Sequence, residues 1–172
     1  MKKSLLSSIV AGAAVAALAL APNTAAAQNA TISATATVLT PLTVTAGNDL
    51  AFGTVYPGVP ASVLPTAATA GSFSISGVAS AGLTVQFTLP ANLIDAASDN
   101  LPITFGTADA AYNQANSQSG TTAFDPNSPV TAALSGTGNF YVWIGGTVAA
   151  AGNQPAGSYT GTITLTAAYT GS

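Results

Sequence analysis

Apolar and polar residues alternate with a period of two along most of this chain. Ile32, Ala34, Ala36 and Val38 alternate with Thr31, Ser33, Thr35 and Thr37. That spacing predicts an extended segment with one apolar and one polar face. Leu42 and Val44 carry the pattern past Pro41, a residue that suits a strand end better than a paired interior. Gly47-Asn48-Asp49 follows as a turn, and Leu50 to Val55 is the next candidate strand. Phe73 and Ile75 with Val78 mark another, and Leu83, Val85, Phe87 and Leu89 alternate cleanly up to Pro90. Leu101 to Phe105 and the Val130, Ala132, Leu134 series add two short runs.

Two runs differ in character. From Asn139 to Ile144 both faces are apolar, with Phe140, Val142 and Ile144 on one and Tyr141 and Trp143 on the other. Such a strand is expected to be central or covered on its second face. The last run is the longest: Tyr159, Gly161, Ile163, Leu165, Ala167 and Tyr169 face one way, and Thr160, Thr162, Thr164 and Thr166 the other. Gly/Pro/Asn/Ser clusters separate the runs, at 56–65, 110–129 and 145–157. Gly145-Gly146 reads as turn chemistry, and 106–129 as a long loop excursion. No stretch after residue 27 has a capped helical period, although 91–97 can form one helical turn. Seven or more short strands with frequent turns predict an all-β, immunoglobulin-like β-sandwich in a single domain over 28–172.

The first 27 residues break this pattern. Lys2 and Lys3 precede an apolar stretch from Leu5 to Ala21, Pro22 and Asn23 interrupt it, and Ala25-Ala26-Ala27 is a small-residue cleavage site. This is the layout of a secretory signal peptide, with Gln28 as the new N-terminus. The expected product is exported, to the periplasm, the cell surface or the medium. No membrane span is expected after cleavage.

Composition then narrows the chemistry. The chain of 172 residues has no His, no Cys and two basic residues, Lys2 and Lys3, against five acidic ones. Removal of the leader leaves Asp49, Asp95, Asp99, Asp109 and Asp125 as the charged side chains, a net charge of −5. No His or Lys remains to activate a nucleophile. Zinc, haem and iron–sulfur centres lose their usual ligands, and no disulfide can form. A polyanion would be repelled, so nucleic acid is not an expected partner. No cofactor is expected. An Asp pair acting as a glycosidase is disfavoured, because Asp49 and Asp125 both sit in turn contexts. Asn92, Asp95, Asp99 and Asn100 offer oxygens for calcium, but the EF-hand spacing is missing and a solvated polar loop is preferred. Tyr141, Trp143 and Tyr112 are conceivable sugar-stacking groups, with Trp143 read first as core.

The termini of the mature chain suggest assembly. The alternating, uncharged segment carrying Ile32, Ala34, Ala36 and Val38 is either the first strand of its own domain or a donor strand. A donor adds to a sheet edge of a neighbouring copy, and repetition head-to-tail builds a filament. The receiving edge is expected near Ile163, Leu165 and Tyr169, on the terminal run.

Ala34-Thr35-Ala36 through Leu42-Thr43-Val44 and Leu50-Ala51-Phe52-Gly53-Thr54-Val55 resemble the opening of a family of small exported bacterial proteins, domain of unknown function 4402. Phe73-Ser74-Ile75-Ser76-Gly77 and Pro155 to Leu165 fit the same family. The closing Gly-x-Tyr-x-Gly-x-Ile pattern is also similar to the last strand of spore-coat-protein-U-like and archaic chaperone–usher pilin subunits. That similarity implies a sandwich lacking one strand, completed by the N-terminal extension of the next subunit, with a periplasmic chaperone and an usher as further partners. The pilin subunits commonly carry a disulfide that this chain lacks, so a sandwich complete in itself stays open. The expected function is a non-enzymatic structural subunit of a pilus-like or surface assembly, formed from copies of itself or related subunits. The alternative is a self-contained secreted module that binds glycans or a cell surface.

Overall fold

The computed structural model describes residues 28–171, and the expected signal peptide lies outside them. Two units are distinguished, 1–36 and 37–172. In the first, residues 28–36 are exposed throughout and form no strand. The second is an all-β sandwich built from twelve strands, with no helix among the described residues.

Its strands are β1 (Thr43–Ala46), β2 (Ala61–Val63), β3 (Gly71–Ser76), β4 (Gly82–Thr88), β5 (Asn92–Ile94) and β6 (Asn100–Thr104). They continue with β7 (Ala110–Asn113), β8 (Thr122–Phe124), β9 (Val130–Ala133), β10 (Asn139–Ile144), β11 (Gly146–Val148) and β12 (Thr164–Tyr169). All pairings are antiparallel and form sheets in the orders β1-β3-β10-β7-β8, β12-β4-β9 and β2-β11-β6-β5.

The main core lies between the five- and three-stranded sheets. Alternation supplies it: Leu83, Val85 and Phe87 from β4 meet Phe140, Val142 and Ile144 from β10, with Ile75 and Leu165 beside them. Burial of each such side chain stabilises the fold by roughly 1.5–3 kcal/mol. Phe140 stacks on Tyr112 at 4.9 Å between ring centroids, and Phe73 meets Phe87 edge-on at 6.0 Å. A second, smaller core gathers Leu101, Ile103 and Val148 beneath the four-stranded sheet.

Several elements depart from the pattern reading. Leu50 to Val55 is not a strand: Gly53 adopts φ +66°, which bends the chain, and Leu50, Phe52 and Val55 pack onto the smaller core instead. The excursion 106–129 is not one loop, for it contributes β7 to the interior of the large sheet, beside the central β10, and β8 to its edge. Ala110 and Ala111 are fully buried there, small enough to sit under neighbouring strands but weak as a sequence signal. Residues 92–94 form β5 rather than a helical turn, because they pair with β6. Gly145-Gly146 is not a hairpin turn but the point where one run leaves the large sheet as β10 and enters the small one as β11. A Cβ at Gly145 would collide with the Val63 carbonyl, so only glycine permits that close approach. The terminal run also divides, since only Thr164–Tyr169 joins β4 in a ladder, while Thr160 makes an isolated bridge with Ile94.

Candidate functional site

The expected donor residues remain unpaired in the structure. Ile32 is 95% and Val38 93% exposed, Ala34 and Ala36 are exposed, and among the described residues no strand is formed before Thr43. A single extended segment has no ladder of its own, so alternation without a partner backbone leaves it unstructured. The 28–39 stretch therefore displays unpaired amides and carbonyls together with bare apolar side chains.

The expected receiving residues lie on or beside β12, an edge strand whose one ladder partner is β4. Leu165 is buried in the main core, and Ile163 and Tyr169 pack against it half-buried. Their side chains are thus committed within their own domain. The Tyr169 hydroxyl accepts the Val78 N–H at 2.7 Å and donates to the Thr40 carbonyl at 2.8 Å. What this edge still offers a partner is backbone. Among described residues no Lys or Arg guards it, although such residues commonly block edge-to-edge pairing.

Beside this edge opens a groove of about 920 Å³ that the periodicity reading did not anticipate. Its walls are the irregular 50–57 and 154–163 segments, and its floor includes Leu93, Leu101, Ile103 and Val148 of the smaller core. Ile163 lines it as well, so the groove runs up to the start of β12. Asp49 is its one charged lining residue. The signal in the sequence was Leu50 to Val55 itself: an apolar run that fails to pair must leave part of the small core open on that side.

Three of the five carboxylates, those of Asp95, Asp109 and Asp125, have local duties. One Asp95 oxygen accepts from the N–H groups of Ala97 and Asp99, Asp109 accepts from Gly106, and Asp125 accepts from the backbone and side-chain nitrogens of Asn127. Asp95 and Asp125 thereby form Asx turns, and Asp109 reaches back three residues to fasten its own turn. No cluster of three or more acidic residues forms among the described residues, so Asn92, Asp95, Asp99 and Asn100 do not assemble around a common point with further carboxylates. Trp143 is 6% exposed on the face of β10 opposite the main core, with Tyr141 stacked beside it at 6.3 Å. The sheet order makes β10 central, as its two apolar faces required.

Comparison with known proteins bears on residues 42–169, which match the model of the family described as Domain of unknown function (DUF4402). The chain belongs to this family. The match takes in every strand from β1 to β12, while the exposed 28–41 segment lies ahead of it. No curated protein matches the chain. The residues matched to DUF4402 take in the sandwich and the residues that line the groove, and no described helix is long and apolar enough to cross a membrane.

Proposed function

We propose that this DUF4402 protein is a non-enzymatic, exported structural subunit that assembles by strand addition. Residues Ile32 to Val38 of one copy pair along the groove and free edge of the next, near Ile163 and β12. The observation that carries this reading is a matched pair of deficits: an alternating segment without a ladder, and an open apolar groove that ends at an unguarded sheet edge. Each would satisfy the other, with main-chain hydrogen bonds supplying affinity and alternate side chains entering the groove. Because donor and receiver are different surfaces of one chain, the contact is heterologous and propagates as a filament. The likeness of the closing Gly157-to-Ile163 pattern, which leads into β12, to the last strand of pilin subunits supports the same reading. It brings with it copies of the chain or related subunits as partners, a periplasmic chaperone and usher, and a final location outside the cytoplasm.

The test compares mature protein with a form lacking residues 28–38, by light scattering and electron microscopy. The full chain is expected to form multimers and the shortened one to stay monomeric. A synthetic peptide of residues 28–38 is expected to raise the melting temperature of the shortened form. A full-length chain that stays monomeric at every concentration, with no response of the shortened form to peptide, would refute strand addition.

A further inference from the structure

The outer face of the five-stranded sheet carries a second depression, of about 420 Å³, that is unlike the groove in chemistry. Tyr141 and Trp143 stand on it from the central strand β10, their rings 6.3 Å apart and within 26° of parallel. Trp143 is buried and backs Tyr141, which is half-exposed. Around this pair lie Ser72 and Ser74 of β3, Asn48 before it, and Asn116 and Gln118 of the β7–β8 connection. No Asp, Lys or Arg lines the depression.

The polar groups are held in place and still have capacity. Ser72 Oγ accepts the Asn48 N–H at 2.8 Å, which leaves its own proton to donate. Gln118 Nε2 donates to the carbonyls of Pro65 and Ala67, both at 2.9 Å, leaving Oε1 as an acceptor. Asn113 Nδ2 donates to the carbonyls of Ser117 and Ser119, at 3.0 and 3.1 Å, and so ties the connection that carries Asn116 and Gln118. The depression thus joins an aromatic surface to donors and acceptors of neutral charge, of which Ser72 and Gln118 are held by hydrogen bonds.

We infer that this depression is a binding site for a neutral glycan, with a pyranose ring against Tyr141 and its hydroxyls among Asn48, Ser72, Asn116 and Gln118. The apolar C–H face of a pyranose suits an aromatic ring. Sugar hydroxyls both donate and accept, so a mixed set of amides and hydroxyls can pair with them where a charged set would select ions. Acidic sugars and phosphorylated ligands are disfavoured, because the site has no cation and the protein around it is net negative. The depression adjoins the groove, with which it shares Asn48, Ser72 and Phe73, while Tyr141, Trp143, Asn116 and Gln118 belong to it alone; the shortened form lacking residues 28–38 is therefore expected to bind as the full chain does, which separates this inference from strand addition.

Trp143 is the single tryptophan of the chain, so its fluorescence reports on this depression alone. The experiment titrates mature protein with hexasaccharides of glucose, galactose, mannose and N-acetylglucosamine, and with oligogalacturonate as the acidic comparison, up to about 10 mM. A saturable change in Trp143 emission is expected with at least one neutral hexasaccharide and none with oligogalacturonate. Tyr141→Ala is expected to weaken binding by about tenfold or more, and the exposed Asn116→Ala by a smaller factor, with far-UV circular dichroism unchanged. Should Tyr141→Ala misfold, Asn116→Ala and Asn48→Ala together serve as the test. Absence of saturation with every neutral hexasaccharide, preference for the acidic one, or full binding by folded variants would overturn the inference.

Discussion

The Tyr169 hydroxyl ties three parts of the chain together, and removing it isolates what that tie is worth. It accepts the Val78 N–H from the turn after β3 and donates to the Thr40 carbonyl, just before β1. Tyr169→Phe keeps the ring against the core and deletes two hydrogen bonds. Each neutral hydrogen bond contributes about 0.5–1.5 kcal/mol net. Thr40 is exposed, so its carbonyl regains water at little cost, whereas Val78 is half-buried and its amide regains less. The expected loss is therefore about 1–2 kcal/mol, toward the lower half of the summed range. In a domain of this size that lowers the melting temperature by about 3–8 °C. Urea unfolding checks it, with the midpoint falling and the slope unchanged. Hydrogen exchange locates it, since the Val78 amide should lose protection while amides of β10 keep theirs relative to global stability. Tyr169→Leu, which also removes the ring, should cost clearly more. A Tyr169→Phe protein with the urea midpoint of the parent, or with Val78 protection intact, would show that the hydroxyl does not fasten the chain there.

Two further outcomes test other parts of the reasoning. Gly138 has φ +78°, and a Cβ there would collide with the Gly77 carbonyl, so Gly138→Ala should destabilise by about 2 kcal/mol or more in urea unfolding. If the proposed leader is removed, protein purified from its host should resist trypsin even in denaturant, because both lysines precede Ala27; a mass loss matching cleavage after Lys2 or Lys3 would show that the leader is retained.

Much of the sandwich was legible as periodicity. Leu83, Val85 and Phe87 in β4, and Phe140, Val142 and Ile144 in β10, alternate because one face of each strand meets the core, and the structure buries those residues. The asparagine and aspartate turns were legible for an equally local reason: a side-chain oxygen reaching an amide two residues on needs no tertiary partner, as at Asp95 and Asp125. The candidate sites were less so. Tyr141 and Trp143 are marked by sequence as a second apolar face, but Asn48, Ser72 and Gln118 reach them only because β3 pairs with β10 and the β7–β8 connection returns to the same face.

Composition and pattern by themselves determined an all-β chain with local turns, almost no charge and no basic side chain after Lys3. These properties depend on residue type and on spacing along a few residues. Tertiary structure alone decided which alternating segments find a partner. Residues 32–38 and Leu50 to Val55 read as strands just as 83–89 do, yet neither joins a ladder, since a strand exists only where a second backbone accepts its hydrogen bonds. The same requirement cut the terminal run in two at Thr164 and left the groove open beside it. Periodicity tells a residue which way to face; only the whole fold supplies something for it to face.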